Sequence, residues 1–538
     1  MTTTAQRPAP PGALPTRAQL LRCRDRLAAR VTEQVGPDGL VRAPCESRVL
    51  ESALLLHLLT VEEQDGHARE RLTRYLKTVL DLDPPDAVQI AVARAALGEA
   101  VPGDEYARRA LGGAAAVPRQ CTPAGQPSWS LAELEHFTAD RKRLTFRVLL
   151  AELGAAERLG GRPVPPEAFE EAGAQSWLGL QLAALKVLAH QGGVGPAPTA
   201  RDWAALAPAL RLGPVWEGNH LARLLGLLAL RKDPVRRPGV RRALAQVAAE
   251  LRPDGGLPFV TGLDVFATAI GGLALADTTR PTALLARMGE ALAARQHPDG
   301  GFGFTRGVGQ SDVDDTAYAA EFFRAAPGPG SAAALAAAEC YLLEQQGADG
   351  GFPTFGRGGA SEPAMTAAAV NALAPNPRCA AAVARAMDFL TARAEERGGA
   401  ALLERGWSRN VTNVVFRTVL ACEAAPGPHR ALRRQLLTRL TETQHPDGGW
   451  GHQAGDPSDP ISTAYAAIAL SRSPLRADRL GRCLGYLVAR QQPDGGYLSR
   501  PDQAGPRPLL YDVPALADVC VLLALAHAVG PGQGVSSG

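Results

Sequence analysis

The sequence predicts an all-α protein built from repeated helical hairpins. Three observations predict this fold class: Ala- and Leu-rich stretches have helical spacing, a Gly-Gly loop recurs at intervals of about 48 residues, and no convincing run of strands is present. Because each hairpin must bury its apolar face on a neighbour, the repeats form either an open solenoid or a closed α/α toroid. Bulky aromatic residues and glycines at the hairpin junctions favour the closed form.

The recurring loop has the form Gln-x-x-Asp-Gly-Gly-aromatic. Glycine permits positive φ at the turn, and the aspartate can bond the next backbone amides. Four copies occupy residues 296–302, 346–352, 444–450 and 491–497. The interval between the second and third copies is about twice the usual one, which predicts a degenerate copy near residue 398, at Arg397-Gly398-Gly399. Weaker copies lie at 252–258 and 34–39.

The composition is that of an ordinary soluble globular chain. The 538 residues are 46% hydrophobic and 21% charged, and a net charge of +3 is too small to indicate nucleic acid or an anionic membrane as a partner. Eight cysteines without a CxxC pair predict a reducing, cytoplasmic location. The N-terminus lacks the apolar segment of a signal peptide. The apolar tract 513–529, interrupted by Asp518 and His527, predicts a packed helix and no integral membrane association.

Three carboxylates lie within four residues of the run Asp-Val-Asp-Asp-Thr-Ala at 312–317. Like charges this close do not all ionise, and burial raises a carboxyl pKa further, so the cluster can hold one acidic proton at neutral pH. The alternative is structural: Ser311 or Asp312 caps the following helix, and Asp315 stabilises its first turn. An EF-hand calcium loop is excluded, because the glycine and glutamate that it requires do not follow Asp312.

The repeated loops resemble the QW motifs of the class II terpene cyclase and squalene-hopene cyclase superfamily, and 312–317 resembles its DxDDTA motif. The segment Leu-Asp-Val-Phe-Ala-Thr-Ala at 263–269 resembles the start of that family's catalytic domain. The resemblance extends from about residue 250 to 535 and is greatest to bacterial cyclases of the copalyl diphosphate synthase type. It implies two α/α barrels with a cavity between them. The barrels would be a β domain at 263–538 and an inserted γ domain at 31–262. An N-terminal arm and helix at 1–30 would pack on the β domain.

The same resemblance implies that Asp314 is a general acid that protonates the terminal alkene of an isoprenoid, after which rings close through carbocations. Asp312 and Asp315 would hold and polarise Asp314. The family often places His or Asn beside the acid, whereas the corresponding stretch here, 361–367, offers Glu362. That residue is either a fourth carboxyl of the cluster or an ordinary surface residue. Apolar and aromatic walls would fold the chain and exclude water.

The sequence contains no DDxxD cluster of the kind that ionises prenyl diphosphates, so the diphosphate is expected to survive and the net reaction to be an isomerisation. An aromatic content of 5% and the lack of a membrane-docking helix disfavour squalene. We therefore expect geranylgeranyl diphosphate, converted to a copalyl or labdane-type diphosphate. Farnesyl diphosphate, converted to a drimenyl-type product, is the second expectation, and a triterpene precursor the third. Mg²⁺ is expected with the diphosphate, and no organic cofactor.

Further residues are candidates for substrate binding, each with an ordinary structural alternative. Trp216 and Phe259 are candidates for cavity walls on the γ side, or for core packing. Cationic candidates for the diphosphate, each of which also fits a solvated surface charge, are Lys186, Arg211, Lys232 and Arg409.

The degenerate repeat contains a polar segment, Trp407-Ser408-Arg409-Asn410, that resembles a cavity-facing segment of the family. An Asn or Ser there would position the water or base that removes the final proton. The alternative is that Asn410 and Asn413 cap or terminate helices. The sequence does not distinguish a monomer from a homodimer.

Two other classes of protein share parts of this pattern. Protein prenyltransferase β subunits are α/α toroids with a zinc site of Asp, Cys and His, and Asp518, Cys520 and His527 offer such ligands. However, Cys520 and His527 lie about two helical turns apart, too far for one metal without a kink. The second class is a non-catalytic toroidal scaffold, in which the aspartates only cap a helix. Replacement of Asp314 by Asn separates an enzyme from a scaffold.

Overall fold

The structure is a computed structural model that describes residues 14–82, 87–99, 139–153, 164–170, 175–278, 282–404, 406–506 and 509–529. These residues contain twenty α-helices, short 3₁₀ turns and four two-residue strands. The predicted all-α fold is confirmed. The described chain divides into two compact units. The barrel unit comprises the described parts of 1–44, 262–504 and 513–538, and the inserted unit those of 45–261 and 505–512.

The barrel unit is a closed ring of helical hairpins, as predicted. Its inner helices pack each against the next, and the last returns to the first: α10 (Asp264–Ala276), α12 (Val313–Ala325), α14 (Pro363–Leu373), α16 (Val411–Ala424), α18 (Pro460–Ser471) and α20 (Ala515–Val529). The outer helices are α1 (Arg17–Glu33), α11 (Thr282–Ala293), α13 (Ser331–Gln345), α15 (Ala380–Glu395), α17 (Arg430–Glu442) and α19 (Ala477–Arg490). Helix α1 packs against α19 and α20.

The inner and outer helices differ in sequence because they differ in burial. Inner helices such as α14 and α18 are rich in alanine and buried on every side, which permits close approach of neighbouring backbones. The outer helix α19 is amphipathic, and Cys483, Leu484 and Leu487 form its buried stripe. Burying each such leucine contributes about 1.5–3 kcal/mol. The repeat pattern therefore predicts the ring, and the apolar spacing predicts which helices are internal.

Each Gly-Gly loop follows one outer helix and packs against the outer helix of the next hairpin. In the 346–352 copy, Gly350 has φ +83°, and a Cβ there would lie 2.6 Å from the carbonyl oxygen of Arg385 in α15. The Gln346 amide nitrogen donates to the carbonyl oxygens of Gly350 and Ala382, each at 2.8 Å, and Phe352 is fully buried. Equivalent glycines with φ of +81° to +91° are Gly39, Gly255, Gly300, Gly448 and Gly495.

The inserted unit is also helical. Its helices are α2 (Val49–Val61), α3 (Gly66–Leu82), α4 (Ala87–Ala96), α5 (Ala139–Glu152), α6 (Ser176–Gln191), α7 (Ala200–Ala205), α8 (His220–Leu230) and α9 (Arg237–Ala248). Among them α2, α4, α5, α6 and α8 pack in sequence, and α8 returns to α2. Strand β1 (Ser47–Arg48) pairs antiparallel with β2 (Leu257–Pro258). The other strands are β3 (Gln503–Ala504) and β4 (Leu510–Tyr511).

The bounds of the two units differ from the predicted 31–262 and 263–538. Residues 31–44 belong to the barrel unit, because the amide of Val41 donates to Thr268 Oγ1 (2.8 Å) and that of Ala43 to Asp264 Oδ1 (2.9 Å), both on α10. Residues 505–512 belong to the inserted unit. Within the described residues, none of the helices combines the length and apolarity that a bilayer crossing needs.

Candidate active site

Asp312 both caps a helix and belongs to a buried carboxyl cluster. Its amide donates to the carbonyl oxygen of Phe302 (2.9 Å), and its Oδ1 accepts the amide of Asp315 (2.8 Å), so Asp312 is the N-cap of α12, which begins at Val313. The structural alternative is therefore correct for this residue. It does not replace the acid cluster, because Asp312 and Asp315 are each only 4% exposed.

Asp312 and Asp315 form a buried pair of neighbouring carboxyls. Burial raises the pKa of both carboxyls. The pKa of Asp315 is held well above its usual range, first by burial and then by the negative charge of Asp312 and a hydrogen bond between the two carboxyls. Within the described chain, Asp315 Oδ1 has no hydrogen-bond partner. Burial and the neighbouring charge therefore disfavour ionisation of Asp315.

Asp314 is the carboxyl of the cluster that faces a cavity. Burial is the main cause that raises the pKa of Asp314 to about 7. The cation of Arg417 opposes this shift, whereas the charges of Asp312, Glu321 and Glu362 add to it. A carboxyl with this pKa is substantially protonated at neutral pH and is strong enough to transfer its proton, which suits a general acid.

Arg417 on α16 supplies the positive charge next to this cluster. Its Nη1 donates to Glu321 Oε1 at 2.7 Å, and its guanidinium lies 4.0 Å from the ring centroid of Tyr318. In the described chain, its Nε and Nη2 have no hydrogen-bond partner. Asp314, Tyr318 and Glu321 are spaced i, i+4 and i+7 on α12, so they share one helix face. Arg417 therefore neutralises Glu321 while moderating the pKa of Asp314.

The cavity beside Asp314 lies in the barrel unit, at the N-terminal ends of inner helices. Three aromatic rings contribute to its wall, and such faces can stabilise a passing carbocation. The lining residues are Phe266, Asp314, Ala364, Met365, Glu404, Gly406, Trp407, Ser408, Asn410, Asn413, Val414, Tyr465 and Gln503. The site thus combines the Asp314 carboxyl with a wall that is partly aromatic and partly polar.

Glu362 is linked to the cavity wall through Thr354. Thr354 Oγ1 donates to Glu362 Oε1, and Trp407 Nε1 donates to Thr354 Oγ1 at 3.2 Å. The charge of Glu362 also helps to raise the pKa of Asp314. Of the two alternatives for this residue, the geometry therefore favours a partner of the acid. Its role in catalysis stays a prediction.

A second polar group lies in the wall formed by Ser408, Asn410 and Gln503. Each of these side chains donates to the carboxylate of Asp502: Ser408 Oγ at 3.2 Å, Asn410 Nδ2 at 3.0 Å, and Gln503 Nε2 at 3.2 Å to both oxygens. Asn410 Oδ1 accepts from Ser462 Oγ. Although Asn410 is the N-cap of α16, its side chain makes no capping hydrogen bond. The structural alternative is therefore right about the position of Asn410 at the start of the helix, although its side chain does not cap that helix.

Arg409, a predicted diphosphate ligand, is not among the cavity-lining residues. Its Nη2 pairs with Asp456 Oδ2 at 3.2 Å, and both side chains are 10% exposed. Its charge is therefore partly neutralised by a neighbouring carboxylate, and a role in binding diphosphate stays a prediction.

The other predicted substrate ligands belong to the inserted unit. Lys186 pairs with Asp202 at 2.8 Å, Lys232 pairs with Glu152, and the Arg211 side chain is exposed. Each cation thus has an ordinary structural or solvated role.

The two aromatic candidates also have local packing partners. Trp216 is half-buried in a 3₁₀ turn, and Phe259 packs under the Arg48 guanidinium, 4.2 Å from its ring centroid, and against Tyr511. Nothing in these contacts tests whether either ring meets a substrate.

The residues that suggested a zinc site have other partners. Cys520 Sγ lies 3.4 Å from Tyr465 Oη, the Arg472 guanidinium lies 2.6 Å from His527 Nδ1, and Asp518 pairs with Arg30 at 2.8 Å. Among the residues that the structure describes, no group of three or more Asp, Glu, His or Cys side chains is arranged to hold a metal ion.

Three residues near the site were missed at the level of sequence. Glu321 had a signal, because it is the one charged residue in the mainly apolar run 316–323 and lies at i+7 from Asp314. Arg417 had a similar signal, because it is an isolated cation in the otherwise uncharged run Val-Val-Phe-Arg-Thr-Val-Leu. Asp502 had none, because it lies 92 residues from Asn410 along the chain and only the fold brings them together.

Comparison with known proteins identifies relatives of the chain. No family model matches the chain. It is 59% identical over 538 residues to the drimenyl diphosphate synthase of Streptantibioticus cattleyicolor, covering 96% of each chain, and 53% identical over 527 residues to that of Streptomyces showdoensis, covering 95% of each. A solved structure, ent-copalyl diphosphate synthase from Streptomyces platensis, shares the fold with a TM-score of 0.54 at 19% identity, over 95% of this chain and 99% of that chain.

The chain belongs to the class II terpene cyclases, and it is an enzyme of the isomerase class. Within that family, the two relatives that resemble it over nearly their whole length are both drimenyl diphosphate synthases. The resemblance inferred from the repeated loops and the aspartate cluster is therefore confirmed at the level of the family.

Proposed function

We propose that this enzyme cyclises farnesyl diphosphate to drimenyl diphosphate and retains the diphosphate group. The observation that carries the proposal is 59% identity, over 96% of both chains, to a relative named for that product. This reverses the order expected from the sequence, in which geranylgeranyl diphosphate came first and farnesyl diphosphate second. The copalyl diphosphate synthase neighbour, at 19% identity, supports the fold alone.

The proposed reaction begins at Asp314. Its carboxyl proton adds to the terminal alkene of the substrate, the two internal alkenes close two rings in succession, and the resulting tertiary cation loses a proton to give the product alkene. One proton enters and one leaves, so substrate and product are isomers. Asp312 and Asp315 hold Asp314 within the helix N-terminus, and the charge of Glu362 keeps its pKa high enough for the protonated form to persist.

The diphosphate is a spectator in this reaction. Mg²⁺ would screen its charge, held mainly by phosphate oxygens and one or two carboxylates, as this ion prefers. A cavity wall of Phe266, Trp407 and Tyr465 would stabilise the cations and keep water from them.

The test is incubation of the purified enzyme with C15, C20 and C30 precursors and Mg²⁺, followed by mass spectrometry of the dephosphorylated products. The proposal expects a drimane alcohol from the C15 diphosphate as the product with the highest kcat/KM. Asp388→Asn, an exposed aspartate on α15, is the matched control and should leave that activity unchanged. A preference for the C20 precursor would overturn the choice of substrate, and no cyclisation of any precursor would overturn the function.

A further inference from the structure

The inserted unit contains a basic groove that the proposed cyclisation does not use. Four cationic side chains line it, Arg231, Lys232, Arg237 and Arg241, and none of its lining residues also lines the cavity beside Asp314. We propose that this basic groove binds a phosphate or diphosphate group. The inference goes beyond the proposed function and does not depend on it.

The cations of the groove come from one short stretch of sequence. Residues 231–242, Arg-Lys-Asp-Pro-Val-Arg-Arg-Pro-Gly-Val-Arg-Arg, contain six cations and one carboxylate. The stretch begins just after α8 ends at Leu230 and continues into α9, which begins at Arg237, so the turn between two helices brings its cations together. A run of cations on a convex surface would only be solvated. Here they line a concavity of about 760 Å³, within the range of roughly 300–1,000 Å³ that is typical of small-molecule sites.

Glu62 is the counter-ion on one side of the groove. Its side chain is 1% exposed, Arg237 Nε donates to its Oε2 at 2.8 Å, and Arg241 Nη1 lies 3.6 Å from the same oxygen. Arg241 Nη1 also donates to the backbone carbonyl oxygen of Glu62 at 2.6 Å. Both guanidinium groups remain exposed to the groove, at 51% and 44% of their side-chain surface. One carboxylate therefore neutralises only one of two accessible cations.

Glu152 is the counter-ion on the other side, and it is also shared. Arg231 Nη2 lies 3.5 Å from its Oε2, and Lys232 Nζ pairs with its Oε1. Arg231 Nε is buried and, within the described chain, has no hydrogen-bond partner. His57 senses the remaining positive charge, because its pKa is lowered to about 4, first by burial and then by the charge of Arg231. The two sides together place four cations against two carboxylates, which leaves two positive charges in excess.

This excess of charge suits a phosphate or diphosphate group. Guanidinium groups donate paired hydrogen bonds to phosphate oxygens, and a lysine ammonium adds a point charge. The N-terminal end of α9 adds the positive end of its helix dipole. Besides the charged side chains, the described lining consists of Pro234 and Pro238 and offers no aromatic ring on which a nucleic-acid base could stack. The chemistry therefore favours a small polyanion over RNA or DNA.

The test measures the reactivity of Lys232 in the full-length enzyme without Mg²⁺. A lysine-acetylating N-hydroxysuccinimide ester is added with increasing inorganic diphosphate, and peptide mass spectrometry gives the rate at each lysine. We expect diphosphate to slow acetylation of Lys232 several-fold and to leave Lys77, an exposed lysine on α3, unchanged. Sodium chloride at the same ionic strength should protect neither. Because the readout is local and needs no turnover, it does not depend on the proposed cyclisation.

Two sources of the ligand are separated by a second titration with farnesyl diphosphate. Protection of Lys232 at lower concentrations of farnesyl diphosphate than of inorganic diphosphate would identify the head group of a prenyl diphosphate as the ligand. The opposite order would identify the free anion. Either order supports a site for this chemical group in the basic groove.

Arg241→Gln and Arg242→Gln form a matched pair of variants. Arg241→Gln removes a groove cation but leaves Arg237 to neutralise Glu62, so the variant should fold. The diphosphate concentration that half-protects Lys232 should rise by roughly tenfold, as for loss of a charged hydrogen-bond donor. Arg242 is exposed on the same helix and does not line the groove, so Arg242→Gln should change this concentration little.

Several results would overturn the assignment. They are no protection of Lys232 by diphosphate, equal protection of Lys77 or by sodium chloride, and an equal effect of Arg241→Gln and Arg242→Gln. Protection of Lys232 by an acidic polypeptide such as polyglutamate, but not by diphosphate, would assign the groove to a protein partner and would overturn it as well.

Discussion

Arg417 Nη1 and Glu321 Oε1 form a buried ion pair 2.7 Å long, and Glu321 lies on the same face of α12 as Asp314. Asp314, the proposed acid, thus lies in an environment with both a cation and several carboxyls. The carboxyls and burial raise its pKa, and the cation limits the rise, which leaves it at about 7. If Asp314 acts as the proposed general acid, this balance sets the pH range in which it is protonated.

The pH dependence of cyclisation should follow the protonated form of Asp314. Since its folded pKa is raised to about 7, the acid is present below that pH and is lost as pH rises through it. We expect kcat/KM to fall by about tenfold per pH unit above neutrality, as for loss of a single essential proton. Initial rates from pH 5 to 9 measure this. A decline that begins near pH 4 would show an acid with an ordinary pKa.

Glu362→Gln should lower the pH at which activity declines. The substitution removes one of the negative charges that raise the pKa of Asp314, so a smaller fraction of the acid is protonated at pH 7.5. Activity at that pH should drop several-fold, whereas activity at pH 5.5 should change little. Glu344→Gln, an exposed site on α13, is the control. An unshifted pH profile in Glu362→Gln would assign Glu362 to structure alone.

Arg417→Met should be more destabilising than the double variant Arg417→Met/Glu321→Leu. The single change leaves Glu321 buried without its cation, which costs about 3–5 kcal/mol, whereas removing both charges avoids that cost. Denaturant unfolding of the two variants and of Glu321→Leu completes the cycle. Equal stability of the single and double variants would show that the pair is not coupled.

Gly350→Ala should destabilise the barrel unit more than Gly358→Ala. Both glycines have positive φ, +83° and +100°, so both substitutions strain the backbone. At Gly350 the new Cβ also meets the Arg385 carbonyl oxygen at 2.6 Å, whereas nothing lies within 4 Å at Gly358. The expected difference is about 1–3 kcal/mol, as for overpacking. Thermal unfolding measures it, and equal losses would refute a packing role for the loop glycine.

The fold was predictable because its determinants are local and repeated. The Gln346 and Gly350 contacts recur in each well-preserved loop, so one pattern specifies every junction of the ring. The candidate acid Asp314 could be picked out for a similar reason, since three carboxylates within four residues are evident in the sequence. The bounds of the two units were harder to predict. Residues 31–44 join the barrel unit through contacts with residues of α10, which lie more than 200 positions further along the sequence.

The residues around the proposed acid, and the polar residues around Asp502, were harder to predict from the sequence. Arg417 meets Glu321 across 96 residues, and Asp502 meets Asn410 across 92, so neither pair has a spacing that a single sequence can reveal. The sequence did not decide the length of the substrate. Low aromatic content argued against a C30 substrate but did not separate C20 from C15, because that choice depends on the shape of a cavity lined by residues of five helices and of the segments around Trp407 and Gln503.

The most direct test of the central claim is a comparison of the unaltered enzyme with Asp314→Asn, both incubated with farnesyl diphosphate and Mg²⁺ at pH 6.5. The account predicts cyclised product from the first and a loss of at least about 10³-fold from the second, with an unchanged helical circular dichroism spectrum. Cyclisation by Asp314→Asn at a rate near that of the unaltered enzyme would contradict it.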